Sequence, residues 1–181
     1  MFAAAVQKQR TRYPRRQHGF TLIEVLVSSL ILSIGLVGVA GLQVMSLKNN
    51  QSAYMRSQVS ALAYDLADRM RSNVAGANAG YYDPAQAAQK LPCNTVAGCS
   101  NQELAQNDLA EWNALLARNL PLGNGFVCID STPDDGLNAA APACDGIGTQ
   151  FSVKVWWDDN RDGAISVTGN NLERLTINFQ L

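Results

Sequence analysis

The sequence contains a single histidine, His18, which lies within the first 19 residues. If those residues are removed, neither a Ser–His nor a Cys–His catalytic arrangement is possible in the remaining chain. The four cysteines form no CxxC pair, which together with the lack of histidine argues against a zinc site. No glycine-rich phosphate loop occurs, and no carboxylates show a paired catalytic spacing. We therefore expect a protein that is not an enzyme.

Charged residues make up only 16% of the 181 residues, and their distribution is uneven. Five of the fourteen Lys and Arg residues precede Gly19, where no acidic residue occurs. The rest of the chain holds nine Lys and Arg against fifteen Asp and Glu, a net charge of −6. Such a surface repels nucleic-acid phosphates, so general nucleic-acid binding is not expected.

An apolar run over residues 20–45 follows the basic segment. It is long enough to cross a hydrocarbon core of about 30 Å as a helix. The basic residues before it favour a cytoplasmic position for residues 1–19 under the positive-inside rule. This pattern predicts a leader at 1–19, a transmembrane helix at 20–45 and a head at 46–181 on the opposite side of the membrane from the leader. An ordinary secretory signal cut after Ala40 is the alternative.

Beyond the apolar run, Met55, Val59, Leu62, Leu66 and Met70 recur every three or four residues. This spacing predicts that the helix continues to about residue 73, with its outer half at 46–73 packed on the head. We expect a long surface loop at 74–100 and a second helix to about residue 119, capped by residue 100 or 101. Three or four strands are expected after it, from the segments 125–130, 151–157 and 172–181. The predicted class is α+β, with a small antiparallel sheet.

The four cysteines all follow the apolar run, which favours disulfides in an oxidising compartment. They are Cys93, Cys99, Cys128 and Cys144. The sequence allows three connectivities. Closure of short loops favours Cys93 with Cys99 and Cys128 with Cys144.

The residues Gly19, Phe20 and Glu24, in the run GFTLIE behind a short basic leader, resemble the class III signal of type IV prepilins and pseudopilins. The resemblance implies cleavage between Gly19 and Phe20 by a prepilin peptidase, methylation of the new amino group and assembly into a filament. It also implies a type IV pilin-like fold. The segment ALAYDLADRMRSN at 61–73 is similar to the PilV family of minor pilins, also called type IV pilus modification proteins.

Glu24 is an acidic residue inside the apolar run. Inserting a carboxylate into the membrane interior costs roughly 2.5–3.5 kcal/mol of free energy. The resemblance implies a role for it in assembly, through pairing with the Phe20 ammonium of a neighbouring subunit. The alternative is that Glu24 reaches the lipid headgroups near the cytoplasmic interface.

Asp158, Asn160 and Asp162, followed by Gly163, match the first half of a calcium-binding loop. The twelfth position of that loop is Gly169 instead of glutamate, and the next carboxylate is Glu173. A polar turn between strands uses the same residue types. Calcium is thus a candidate ligand, and no other cofactor is expected.

The resemblance implies a non-catalytic minor pilin that crosses the bacterial inner membrane once, with its head in the periplasm, and joins the pilus after assembly. Its expected partners are other minor pilins, the major pilin, the prepilin peptidase and membrane lipid. Its expected role is to prime or cap pilus assembly in support of twitching motility, adhesion or DNA uptake. The alternatives are a type II secretion pseudopilin and a membrane-anchored periplasmic binding module.

Overall fold

The computed structural model describes residues 19–166 and 173–181. The chain divides into two compact units, Met1–Ser46 and Leu47–Leu181. The predicted leader before Gly19, the position of Gly169 and the start of the third predicted strand at residue 172 lie outside the described residues. The elements below confirm the predicted α+β class, because a long apolar N-terminal helix is followed by a small antiparallel sheet.

Helix α1 is one element of 51 residues, Leu22–Ser72. Its early part is apolar and exposed, and this is the one helix in the described ranges that is long and apolar enough to cross a membrane. Its later part buries the six residues Met55, Val59, Ala63, Leu66, Ala67 and Met70. Four of the five positions predicted for this stripe are among these six, and the remaining one, Leu62, is partly buried against the same core. The periodicity therefore predicted both the helix and its buried face.

The segment after α1 is more structured than the predicted long loop. It contains the short helix α2 (Val74–Asn78) and two 3-10 turns, Pro84–Gln86 and Leu91–Asn94. Asn73 caps α2 by accepting a hydrogen bond from the Gly76 amide at 3.2 Å, and its Nδ2 donates to the Asn101 carbonyl at 2.8 Å. The buried Asn73 thus connects the end of α1 both to α2 and to Asn101, the first residue of the following long helix.

Helix α3 runs over Asn101–Asn119, as the sequence predicted. Its N-cap is Ser100, whose side chain accepts from the Glu103 amide while the Glu103 carboxylate accepts from the Ser100 amide. This reciprocal capping box satisfies donors that have no partner inside the helix. The buried Trp112 lies on the core face of α3 and donates from Nε1 to the Leu62 carbonyl of α1 at 2.8 Å.

The sheet has three antiparallel strands in the order β1-β2-β3: β1 (Asn124–Ile129), β2 (Phe151–Trp156) and β3 (Arg174–Phe179). One face contributes Val127, Val153 and Val155 to the same hydrophobic core as α1 and α3. The opposite face is covered by the loop at 130–142, since Thr176 donates to the Pro133 carbonyl and Lys154 to the Pro142 carbonyl. Both faces of this small sheet are therefore covered.

Adjacent residues on a strand point to opposite sides of the sheet, and this pattern applies to Trp156 and Trp157 at the end of β2. Both are fully buried. Trp157 lies in the hydrophobic core cluster and donates from Nε1 to Asp159 at 3.0 Å. Trp156 is the last residue of β2 and pairs with Asn124 of β1.

Candidate functional site

The predicted processing site lies at the start of the described chain. Gly19 and Phe20 are exposed and precede α1, and the Phe20 side chain is 82% exposed. The Thr21 carbonyl and hydroxyl oxygens both accept from the Glu24 amide, at 3.1 and 3.3 Å. Thr21 thus caps the helix and places Glu24 in its first turn, where the helix dipole stabilises a carboxylate.

The surroundings of Glu24 are apolar and exposed. Leu22, Ile23 and Val25 are each more than half exposed, and no described residue makes a salt bridge with Glu24. Other polar side chains of this stretch are satisfied within the helix: Ser29 donates to the Leu26 carbonyl at 2.9 Å. Glu24 therefore differs from its polar neighbours, because a carboxylate cannot donate to a helix carbonyl.

The calcium candidates Asp158, Asn160 and Asp162 lie together in one turn, residues 158–163, which we name the acidic turn. Asp158 Oδ2 accepts from the Gly163 amide at 2.8 Å, and Asn160 Oδ1 accepts from the Asp162 amide at 2.8 Å. Glu173 is almost fully buried and accepts from the Asp159 amide at 3.2 Å. The side-chain oxygens of the acidic turn thus stabilise its backbone, as in the polar turn weighed above. Calcium binding stays a prediction.

The described residues hold one group of three metal-capable side chains whose ligand atoms lie within 4.8 Å of each other. It consists of Cys128, Asp130 and Cys144. The two cysteines are joined as a disulfide, and Cys93 is joined to Cys99. These are the pairs that short loop closure favours. Because disulfide sulfurs are not thiolate ligands, this group is not a metal site.

A second polar cluster connects α1 to α3. Arg69 donates to Asp65 at 2.9 Å, to Glu111 at 3.0 Å and to Asp108 at 3.3 Å. The hydrogen bond from Arg69 lowers the pKa of Glu111. Burial raises the pKa of Asp108, even though the Tyr82 hydroxyl donates to it at 2.7 Å. Each side chain in this cluster has a hydrogen-bond partner, so the cluster holds the two helices together.

The sequence did not indicate the buried lysine of β2. Lys154 is fully buried, and its Nζ lies 2.5 Å from Asp130 Oδ2 and 2.8 Å from Asp135 Oδ1. Lys154 alternates with the apolar Val153 and Val155, a pattern typical of a solvent-facing lysine. The covering loop supplies both carboxylates from 19 and 24 residues away along the chain. No local signal could have predicted this contact.

Two family models match this chain, and together they cover residues 14–110. Residues 14–40 match the family model described as the prokaryotic N-terminal methylation motif. Residues 41–110 match the family model described as Type IV pilin Tt1218. No curated protein and no solved structure matches the chain.

These two matches agree with the α+β fold and with the exposed apolar part of α1. Type IV pilins are structural, non-catalytic proteins, and their methylation motif implies pilus components as partners. The motif and the apolar helix fit anchoring in the inner membrane and incorporation into a pilus. The findings therefore support a type IV pilin with a role in pilus or pseudopilus assembly.

Proposed function

We propose that this protein is a minor pilin of the PilV type that primes or caps type IV pilus assembly. It is cut between Gly19 and Phe20 by the prepilin peptidase and methylated on the new amino group. Residues 20–45 then span the inner membrane, and the head at 46–181 lies in the periplasm. Its partners are other minor pilins and the major pilin, and the assembled pilus supports twitching motility.

The observation that carries this proposal is Glu24, a carboxylate in the first turn of an otherwise apolar, exposed helix. In lipid such a group needs a proton or a cation. Cleavage before Phe20 creates an ammonium four residues from Glu24. In a bundle of subunits this ammonium can pair with the Glu24 of a neighbour in a low dielectric, which fixes the axial register between subunits.

The similarity of residues 61–73 to the PilV family favours a pilus over a type II secretion pseudopilus. A pseudopilin shares the same N-terminal chemistry, so it is the nearest alternative. A membrane-anchored binding module is the alternative from another class, and the acidic turn is the feature that favours it. Such a module would stay in the membrane when pili are sheared from cells.

The first experiment determines the N-terminal residue of the protein from membranes, with and without the prepilin peptidase. A methylated Phe20 that depends on the peptidase supports the pilin pathway, whereas a Gly41 start would contradict it.

The second experiment compares Glu24→Ala with wild type in sheared filaments. We expect normal membrane levels and a reduced amount in filaments, because the paired carboxylate is lost. Ser29→Ala is the matched control in the same helix, since the Ser29 hydroxyl is already satisfied by the Leu26 carbonyl. Equal amounts of the two variants in filaments would refute the role of Glu24.

A further inference from the structure

The ammonium of Lys154 has more close oxygen neighbours than protons. It donates to Asp135 Oδ1 at 2.8 Å, to the Pro142 carbonyl at 2.8 Å and to the Asp135 carbonyl at 3.2 Å. An ammonium has three N–H donors, so these three bonds use all of them. The nearest oxygen, Asp130 Oδ2 at 2.5 Å, is outside this set.

Asp130 presents its carboxyl group to this nitrogen without an aligned hydrogen bond. Both side chains are 0% exposed. Within the described residues, Asp130 Oδ2 is buried and receives no hydrogen bond despite the short contact. The other oxygen, Oδ1, accepts from the Thr132 amide at 3.1 Å. The nitrogen thus lies against a carboxyl group whose far oxygen is held by a backbone donor.

These are the elements of an acyl-transfer site. Lys154 Nζ is a nucleophile in contact with the acyl group, and its position replaces a bimolecular encounter with a fixed geometry. Asp135 accepts a proton from that nitrogen and is therefore placed to act as general base and acid. The Thr132 amide points at the oxygen where negative charge develops during attack on Cγ.

We propose that Lys154 and Asp130 condense to form an intramolecular amide bond. Asp135 takes one proton from the Lys154 ammonium, and the freed lone pair attacks Asp130 Cγ. A bond forms between Nζ and Cγ, the C–Oδ2 bond breaks, and Oδ2 leaves as water with protons from the nitrogen and from Asp135. The overall reaction converts one ammonium and one carboxylate into one neutral amide and one water, with no change of oxidation state.

Burial supplies the driving force. In water an ammonium and a carboxylate are well solvated and do not condense. Here both charges are desolvated, and burying an ion pair carries a penalty that its mutual attraction only partly offsets. Condensation removes both charges, while the amide keeps an N–H donor and a C=O acceptor for the groups around it. The Asp135 side chain is 44% exposed, so proton and water can exchange with solvent.

The amide would connect the middle of β2 to the residue that follows β1. The Cys128–Cys144 disulfide closes the same covering loop, but the amide would survive reduction. The head of a filament subunit would thus keep this loop on its sheet in a reducing medium.

The test is mass spectrometry of the full chain purified from membranes in detergent, after reduction and alkylation. Trypsin should fail to cut after Lys154 and should give one peptide of residues 119–161 that is lighter by one water. Backbone fragments should be missing between positions 130 and 154. Chymotryptic cleavage after Phe151 should leave its two halves joined. Complete tryptic cleavage after Lys154, in protein whose two disulfides were intact before reduction, would overturn the proposal.

A succinimide at Asp135–Gly136 would also lose one water, so it must be distinguished. A succinimide leaves Lys154 open to trypsin and is hydrolysed in mild base, whereas the amide blocks trypsin and is stable. Retention of the mass loss with normal cleavage at Lys154 would therefore count against the proposal.

Two carboxylate variants test the chemistry. Asp135→Asn retains the Lys154–Asp130 contact but removes the base, and we expect the cross-linked fraction to fall at least tenfold. Asp134→Asn is the matched control, because the Asp134 contact with Arg174 uses its backbone carbonyl. Asp130→Asn should still react, with loss of ammonia instead of water. A full cross-link yield in Asp135→Asn would overturn the role of Asp135 as base.

Discussion

Gly125 lies where β1 packs closely against α3, and it provides a sharp test of the packing. A Cβ at this position would lie 2.3 Å from Trp112 Cη2 and 2.8 Å from Leu116 Cδ1. Both neighbours are fully buried, so neither can move freely. The Gly125 backbone does not require a positive φ, so alanine changes the packing alone.

Gly125→Ala should destabilise the head by about 1–3 kcal/mol, the usual cost of overpacking a core. For a unit of this size the melting temperature should fall by roughly 3–12 °C. Trp112→Phe removes the ring atoms that the new Cβ meets. By itself it should also be destabilising, because it loses the hydrogen bond to the Leu62 carbonyl, worth about 1 kcal/mol, and leaves a cavity.

The double variant separates these effects. The alanine methyl occupies part of the space that Trp112→Phe opens. The double variant should therefore lose less stability than the two single variants added together, by about 0.5–3 kcal/mol. Urea unfolding of the detergent-solubilised chain, followed by circular dichroism, measures all four corners of the cycle. Tyr64→Ala combined with Trp112→Phe is the additive control, because Tyr64 is 56% exposed. Strict additivity of the first pair would refute the close approach of β1 to α3.

Three further predictions address charge, cross-links and metal. The pKa of Glu111 is lowered by its hydrogen bond from Arg69, so its stabilising contribution is present above the unfolded pKa and is lost as the pH falls through the folded pKa. Glu111→Gln should therefore be less stable than wild type at pH 7, and the difference should shrink below about pH 4; a constant difference in urea midpoint would contradict this. Removing the disulfide with a separation of 6 residues should cost about 2 kcal/mol, and removing the one with a separation of 16 about 3 kcal/mol, by loop entropy; the reverse order in urea unfolding would argue against it. If the acidic turn binds calcium, added Ca²⁺ should raise the melting temperature, because a ligand that binds only the folded state stabilises it; an unchanged melting curve would reject the site.

The helices could be predicted closely because their signals are local. Neighbouring apolar residues of α1 are three or four positions apart, and the capping residues of α3 are three positions apart, so each signal operates within about one helical turn. Both helices begin and end within about two residues of the predicted bounds. The segment 74–100 was predicted less well, since its short helix depends on the buried Asn73 bonding to a carbonyl 28 residues later. Glycine and asparagine are typical of loops unless such a contact orders them.

The candidate sites also divide into features that the local sequence indicates and features that only the structure shows. The N-terminal motif is a continuous stretch, so Gly19, Phe20 and Glu24 are recognisable without a structure, and their roles remain predictions to be tested in cells. The acidic turn was also found from its spacing, but only the structure showed that its oxygens accept hydrogen bonds from its own backbone.

The sequence by itself determined the apolar helix, the processing motif, the two segments that contain the cysteine pairs and the α+β class, because each depends on residue types at short spacing. Only the tertiary structure decided that Lys154 is inside the protein. Strand alternation states which side of a sheet a residue occupies and not what covers that side. A loop from another part of the chain covers the side of the sheet that Lys154 occupies. It places the carboxyl groups of Asp130 and Asp135 beside the Lys154 ammonium, a buried charge that needs such partners.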